Sequence, residues 1–138
     1  MVNRTCQFTI SDEPVPVYGT EGLEPTGATG ADVQFLGTVR GEEDGPQISG
    51  IEYSAYLPMA EKMLDQIRLR ALEEFGEHPV HIHHCVGFVA TGAASILIRV
   101  AAKHSAQAFE ICSWYLKAIK TSVPIWKNPV FIDAEPSD

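Results

Sequence analysis

The sequence predicts an α+β fold with a mostly antiparallel sheet and two main helices. Short segments that alternate apolar and polar residues, as strands do, occur in groups along the chain. Two longer segments instead repeat apolar residues at the three- and four-residue spacing of a helix. Because strands and helices do not alternate regularly, a parallel sheet built from βαβ units is disfavoured. At 138 residues, the chain is most economically a single domain over 1–138.

Five segments are predicted to be strands. They are 3–10, 33–40, 48–56, 80–86 and 95–101. The stretch Ile96–Val100 within the last segment is nearly all apolar, which is typical of a central strand. Residues 11–30 are rich in Pro and Gly and are predicted to form an irregular connection. The acidic segment 41–47 has the composition of a turn.

Two helices are predicted from apolar spacing and from the signals at their ends. The first has Pro58 in its first turn, where proline is tolerated, and Gly76 as its stop. The second runs from about Ser105 to Lys120. The predicted buried faces are Ala60, Met63, Leu64, Ile67, Ala71 and Phe75 on the first helix, and Ala108, Phe109, Cys112, Leu116 and Ile119 on the second.

The composition argues against several classes of function. A net charge of -8 disfavours nucleic-acid binding, which depends on clustered Lys and Arg. No apolar run approaches the roughly 20 residues of a membrane-spanning helix, and the first residues lack the apolar core of a signal peptide. Cys6, Cys85 and Cys112 are too widely spaced for a disulfide framework or a CxxC zinc site. We therefore expect a cytoplasmic protein with neither membrane nor nucleic-acid partners.

The segment Lys120–Lys127 places two lysines on either side of a forced change of direction. Pro124 lacks a backbone N–H and moves the preceding residue out of the α region, so it must end a helix that carries Lys120. Lys127 then lies beyond the bend, and both ammonium groups can point at one anionic ligand. The alternative is that these are solvated lysines near a helix end, where the helix dipole favours positive charge.

Four segments, in their order and at their spacing, resemble the large, catalytic subunit of molybdopterin synthase. They are Gly30–Arg40 with its F-x-G-x-V-R pattern, Glu52–Glu61, His84–Gly87, and Lys120–Lys127 with its K-T-x-x-P-x-W-K pattern. The resemblance covers roughly residues 30–128 and implies the hammerhead-like α+β fold of that subunit.

The resemblance also implies a reaction and its partners. The family converts cyclic pyranopterin monophosphate into molybdopterin by installing two sulfurs as a dithiolene. Sulfur arrives as a C-terminal thiocarboxylate on a small ubiquitin-like carrier, whose Gly-Gly tail threads into the large subunit. Two large subunits form a central homodimer within a heterotetramer. No metal or organic cofactor is implied, because the pterin is the substrate.

Carried over to this chain, the resemblance makes Lys120 and Lys127 the catalytic residues, with Lys120 beside the carrier's terminal carbonyl. It assigns Arg40, His104 and again Lys127 to the basic substrate pocket. Arginine suits bidentate recognition of phosphate, and an ammonium group stabilises the negative charge that develops during acyl transfer.

The chain departs from the family pattern at two arginine positions. Cys85 and Ser105 stand where the family commonly has arginine. Lys103 is a candidate replacement for the lost substrate-binding charge. The departures raise an alternative function, in which a non-catalytic relative keeps the fold and the carrier-binding groove as a scaffold or regulator.

A second alternative is a metal site built from His81, His83, His84 and Cys85. Strand alternation places His81 and His83 on one face and His84 on the other, and no second ligand pair at zinc spacing accompanies them. We therefore expect hydrogen-bonded strand histidines rather than a metal site. Cys85 and Cys112 are expected to be inert core thiols.

Overall fold

The computed structural model describes residues 6–18, 22–23 and 27–132. Within these residues the chain forms seven strands and two helices. In chain order they are β1 (Cys6–Ser11), β2 (Ala31–Thr38), β3 (Ile48–Ala55), α1 (Leu57–Phe75), β4 (Val80–Cys85), β5 (Gly87–Ala90), β6 (Ala94–Ala102), α2 (Ser105–Ser122) and β7 (Ile125–Phe131). Neither helix has the length and apolarity needed to cross a membrane, a finding that concerns these described residues.

The strands form two sheets, one of four strands in the order β1-β4-β6-β2 and one of three in the order β5-β3-β7. Every pairing is antiparallel except that of β1 with β4. The predicted α+β class with a mostly antiparallel sheet is therefore confirmed. The central strand is β6, which lies between β4 and β2 and whose residues from Ser95 onward are all buried.

Both helices end at the stop signals that the sequence predicts, Gly76 and Pro124. Pro58 lies in the first turn of α1, and Gly76 ends that helix at φ 75°, donating its N–H to the carbonyl of Leu72. Helix α2 continues two residues beyond Lys120, until Val123 becomes extended ahead of Pro124. The proline therefore sets the end of α2, and Lys120 lies in the last turn.

The helices cover one face of the four-stranded sheet and enclose the larger core. Buried members of this core include Leu64, Ile67, Ile98 and Ile111, and burying each such side chain contributes roughly 1.5–3 kcal/mol. A smaller core lies under the three-stranded sheet and contains Val39, Ile48, Ile51, Tyr53, Cys85 and Val89.

The predicted buried face of α2 is wrong at Phe109, which is 63% exposed. The buried positions are Ala108, Ile111, Cys112, Tyr115, Ala118 and Ile119. Phe109 follows Ala108 by one residue, about 100° around the helix, and so lies outside this stripe. On α1 the predicted face is correct, with Met63 and Phe75 partly buried against the same core.

Two strands are absent from the sequence prediction, and both belong to the smaller sheet. Strand β5 is only four residues long and begins at Gly87, whose φ of 88° permits the sharp change of direction after β4. Strand β7 contains Pro129, which disfavours a strand prediction. Because β7 is an edge strand, the missing N–H of Pro129 interrupts no ladder with a further strand.

The face of the four-stranded sheet that the helices leave uncovered carries an ion pair between a buried arginine and a partly exposed aspartate. Arg99 is 2% exposed and donates to both carboxylate oxygens of Asp32, at 2.9 and 2.7 Å. The ring of Tyr18 lies 4.5 Å from the Arg99 guanidinium carbon, and its hydroxyl is 3.0 Å from Nδ1 of His81. Asp32 also accepts the backbone N–H of Leu23. Contacts made by Tyr18 and Leu23 therefore hold the predicted irregular connection against this face of the sheet.

Replacing Asp32 with Asn should destabilise the protein by about 3 kcal/mol at neutral pH, because it removes a carboxylate charge from beside a buried guanidinium. Burial alone raises the pKa of Asp32, but hydrogen bonds from Arg99 and Leu23 and the charges of Arg99 and His81 hold it below its ordinary value. The stabilisation is therefore present above about pH 4 and is lost as pH falls through the lower folded-state pKa.

Chemical denaturation over this pH range measures the difference between the wild type and Asp32→Asn. The control is Asp65→Asn, which neutralises an exposed aspartate on α1. An equal loss in both variants, or a difference that does not shrink in acid, would contradict the stabilising role of the ion pair.

Candidate functional site

A cleft of about 830 Å³ opens where the two sheets meet the C-terminal end of α2. Strands β2, β3, β4, β6 and β7 all contribute to its walls. The lining residues are Phe35, Leu36, Gly37, Thr38, Arg40, Tyr53, His84, Ser95, Ile96, Leu116, Ile119, Lys120, Val123, Ile125 and Lys127. The sequence-predicted Lys120, Lys127 and Arg40 are thus brought to one cavity.

The two lysines reach the cleft from opposite sides of the Pro124 bend. Lys120 lies in the last turn of α2, and Lys127 lies on β7 directly across from Tyr53 of β3. Ile125, the first residue of β7, packs against both cores. This anchoring fixes the direction in which β7 leaves the bend, and with it the position of Lys127.

Arg40 is positioned by the residues that precede it. Gly37 lies so close to β6 that an added Cβ would come within 2.6 Å of the Ile96 side chain, so the position has no room for one. The register shifts between Gly37 and Thr38, and Val39 is then buried at 4% exposure. With Val39 anchored in the smaller core, the exposed Arg40 borders the cleft.

The cleft is positively charged although the chain as a whole carries a net charge of -8. Its described lining includes Arg40, Lys120 and Lys127 but no carboxylate. The one ion pair found among the described residues is Asp32–Arg99, so these three cations are not neutralised by acidic side chains there. Three exposed cations around one cavity favour an anionic ligand.

Lys103 and His104 lie at the other end of α2. His104 occupies the N-cap position of the helix without a side-chain capping hydrogen bond, and both residues are exposed. Lys120 follows His104 by sixteen positions along the helix, which corresponds to a rise of about 24 Å. Within one chain, therefore, Lys103 and His104 do not join the other predicted site residues.

His84 is a cleft residue that the sequence analysis did not assign to the site. Its Nδ1 donates to the backbone carbonyl of Cys85 at 2.8 Å, and its ring meets that of Tyr53 edge-on with centroids 5.4 Å apart. Burial lowers the pKa of His84, the hydrogen bond to Cys85 opposes that effect, and the charges of Lys127 and His83 lower it further. Alternation along β4 was the available signal, because it places His84 on the face of Val80 and Ile82.

The neighbouring histidines face away from this cleft. Nε2 of His83 donates to the carbonyl of Glu13 at 3.1 Å, and His81 lies beside Tyr18. In the described ranges, no group of three or more His, Cys, Asp or Glu side chains is arranged to hold a metal ion.

Cys85 also lies outside the cleft lining. Its thiol donates to the carbonyl of Glu13 at 3.3 Å, and burial raises the pKa of both Cys85 and Cys112. The departure from arginine at Cys85 therefore removes no charge from the wall formed by Arg40, Lys120 and Lys127.

Comparisons with known proteins agree on one family. The sequence profile described as "MoaE protein" matches residues 10–122. The molybdopterin synthase catalytic subunit of Pyrococcus abyssi is 39% identical over 113 residues, which cover 82% of this chain and 76% of that protein. The chain spans only 54% of the longer relative of the same name from Emericella nidulans.

Solved structures show the same relationship. The structure of molybdopterin synthase from Staphylococcus aureus is similar with a TM-score of 0.81 at 33% identity, covering 94% of each chain. A complex of subunits 1 and 2 of molybdopterin-converting factor from Helicobacter pylori contains the fold with a TM-score of 0.61 at 23% identity, covering 78% of this chain and 75% of that one.

Replacing Lys127 with Met should raise the pKa of His84, because it removes a positive charge that disfavours the protonated ring. NMR titration of the His84 ring protons measures this change. The control is Lys117→Met, which removes an exposed charge from α2 outside the cleft lining. An unchanged titration in the Lys127 variant would show that the two groups are not electrostatically coupled.

Proposed function

The chain belongs to the MoaE family, and from this premise we propose that its cleft carries out the sulfur transfer of a molybdopterin synthase catalytic subunit. The observation that carries the proposal is the convergence of Arg40, Lys120 and Lys127 on one cavity with no carboxylate in its described lining. The curated relatives reported above are named as catalytic subunits, which favours the enzyme over the non-catalytic alternative.

The proposed substrate is cyclic pyranopterin monophosphate, whose phosphate binds to the cationic wall. Arg40 offers a planar fork of N–H donors that matches two phosphate oxygens, and Lys127 adds a second positive charge. Such contacts each contribute about 1.5–3 kcal/mol. The apolar side chains of Phe35 and Ile96 in the same lining supply surface for the uncharged part of the ligand.

The proposed sulfur donor is the C-terminal thiocarboxylate of a small ubiquitin-like carrier ending in Gly-Gly. Strand β2 lies at an edge of the four-stranded sheet as described, and its residues Phe35–Thr38 line the cleft. An extended tail can pair with such an edge, and glycines fit where backbone approaches backbone. This arrangement supports placing the terminal carbonyl beside Lys120, whose ammonium stabilises the charge that develops on oxygen or sulfur.

The proposed assembly is a homodimer of this chain within a heterotetramer. Lys103 and His104 can bind the substrate in the cleft only if a second copy brings its own α2 N-terminus there. One face of the three-stranded sheet carries the exposed side chains of Phe88, Trp126 and Val130. They lie on the same face because they pair with alternate residues of β3. An exposed apolar face of this kind is available for association.

The proposed reaction needs no cofactor, because the carrier delivers sulfur and the pterin accepts it. We also propose a cytoplasmic location. All three cysteines are free, as expected in a reducing compartment.

Replacing Lys120 with Ala should lower the rate of sulfur transfer by at least about 100-fold, because it removes the charge that stabilises the transition state. The assay combines the purified chain, a thiocarboxylated carrier and cyclic pyranopterin monophosphate, and measures molybdopterin as its oxidised fluorescent derivative. Carrier binding and thermal stability should be unchanged, because Lys120 is exposed.

The matched control is Lys117→Ala, which removes an exposed lysine three residues earlier on α2. Near-normal turnover in the Lys120 variant would refute its role. Absence of product from the wild-type chain, with the carrier still bound, would instead support the scaffold alternative.

Mixing two inactive variants tests whether each cleft uses residues from two copies. If His104 acts in the cleft of a second copy, then Lys120→Ala and His104→Ala chains should complement one another after subunit exchange. Random pairing leaves one intact cleft in each mixed dimer, so activity should recover to about a quarter of the wild-type value. No recovery after exchange, verified by mass spectrometry of the mixed dimer, would contradict the shared site.

A further inference from the structure

His84 has the geometry of a proton acceptor within the cleft. Along β4, the side chains of Val80 and Ile82 occupy the buried core face, and His84 occupies the next position on that face. The row of side chains on this face of β4 therefore ends with the imidazole of His84, which lines the same cleft as Lys120 and Lys127. A polar side chain at this position interrupts an otherwise apolar row at the point where the row meets the cavity.

The hydrogen bond of His84 fixes which of its nitrogens can accept a proton. The carbonyl of Cys85 can only accept, so Nδ1 carries the hydrogen that it receives. In the neutral ring, Nε2 then keeps its lone pair. Among the residues that the structure describes, none forms a hydrogen bond with Nε2, and this atom is not sealed inside the protein.

The charged and titratable groups around His84 favour its neutral form. Lys127 on β7, Lys120 on α2 and Arg40 after β2 line the same cleft, and Tyr53 of β3 contacts the ring. Burial and the charges of Lys127 and His83 lower the pKa of His84. The ammonium and guanidinium groups are donors and cannot accept a proton. The described cleft lining therefore holds several donors and one imidazole with an available lone pair.

From this geometry we propose that His84 is a further catalytic residue, which takes a proton from the water that replaces sulfur on the carrier. The inference rests on the proposed function. Once the carrier's sulfur has bonded to the pterin, the acyl carbon must exchange sulfur for oxygen before the two can separate.

In this step the oxygen of water bonds to the acyl carbon, and the carbon–sulfur bond breaks with its electron pair passing to sulfur. One proton of the water passes to Nε2 of His84, and the second leaves the new carboxylic acid for solvent. The products are a carrier carboxylate and a pterin thiolate, and no oxidant or reductant is needed. Lys120 stabilises the oxyanion while His84 accepts the proton.

The test is single-turnover sulfur transfer by His84→Gln as a function of pH. Glutamine can hydrogen-bond but cannot take up the proton, so the rate should fall by about 10²–10⁴-fold. In the wild type the rate should fall in acid as the ring protonates, at a pH below the ordinary histidine pKa of about 6.5 because the pKa of His84 is lowered. The variant should lose this dependence while still binding carrier and pterin. The control is His83→Gln, whose ring bonds to Glu13 outside the cleft. It should retain the rate at neutral pH and an acid limb, which moves to higher pH because the charge of His83 no longer lowers the pKa of His84.

Two further measurements distinguish a lost proton acceptor from a variant that fails to fold. His84→Ala should regain activity with added imidazole, in proportion to the neutral form of imidazole. Nitrogen-detected NMR of the unliganded protein should show His84 as the neutral Nδ1–H tautomer at neutral pH. A wild-type rate and acid limb in His84→Gln, no rescue by imidazole, or an Nε2–H tautomer would each overturn the proposal. Inactivity of the wild type itself would instead refute the proposed function.

Discussion

The termination of α2 at Pro124 is the constraint from which the geometry of the cleft follows. A proline cannot continue the helix, and Val123 ahead of it must be extended. The chain therefore enters β7 five residues after Lys120, and the packing of Ile125 against both cores sets the direction of that strand. Without this turn, Lys120 and Lys127 would lie on one helix, about 10 Å apart along its axis.

The charges of the protein are arranged in two different ways. Arg99 is buried in the four-stranded sheet, and the fold sets a carboxylate against it with two hydrogen bonds. Arg40, Lys120 and Lys127 are exposed around a cavity whose described lining supplies no carboxylate. Burying an unpaired charge is costly, whereas exposed cations remain solvated until a ligand displaces water. Arg99 is thus a structural cation, and the cleft cations are available for binding.

The sequence predicted what local rules determine. Helix ends at Gly76 and Pro124 depend on backbone conformation, and the burial of β6 follows from its apolar run, so these features were predicted correctly. Strand β7 could not be predicted because its pairing with β3 is long-range and its apolar pattern is interrupted by Lys127, Asn128 and Pro129. Residues Ile125 and Lys127 of β7 form part of the cleft wall. The sequence therefore predicts the pair of lysines but not the cavity that they line.

His84 shows a second limit of sequence reasoning. Strand alternation separates it from His81 and His83, but the pattern alone does not show which residues that face meets. His81, His83 and His84 lie within four residues of one strand, and the strand period divides them between two environments. His83 bonds to the connection through Glu13, whereas His84 faces the cations of the cleft.

The alternation of side chains along β4 also explains why the absence of arginine at position 85 does not change the charge of the cleft within one chain. That side chain points to the connection and not to the cleft, so the described cationic wall keeps its charges. The other departure, Ser105, begins α2 next to His104, at the far end of the helix from Lys120. In the proposed dimer, any weakening of phosphate binding at Ser105 would therefore concern the part of the proposed pocket that the second copy supplies.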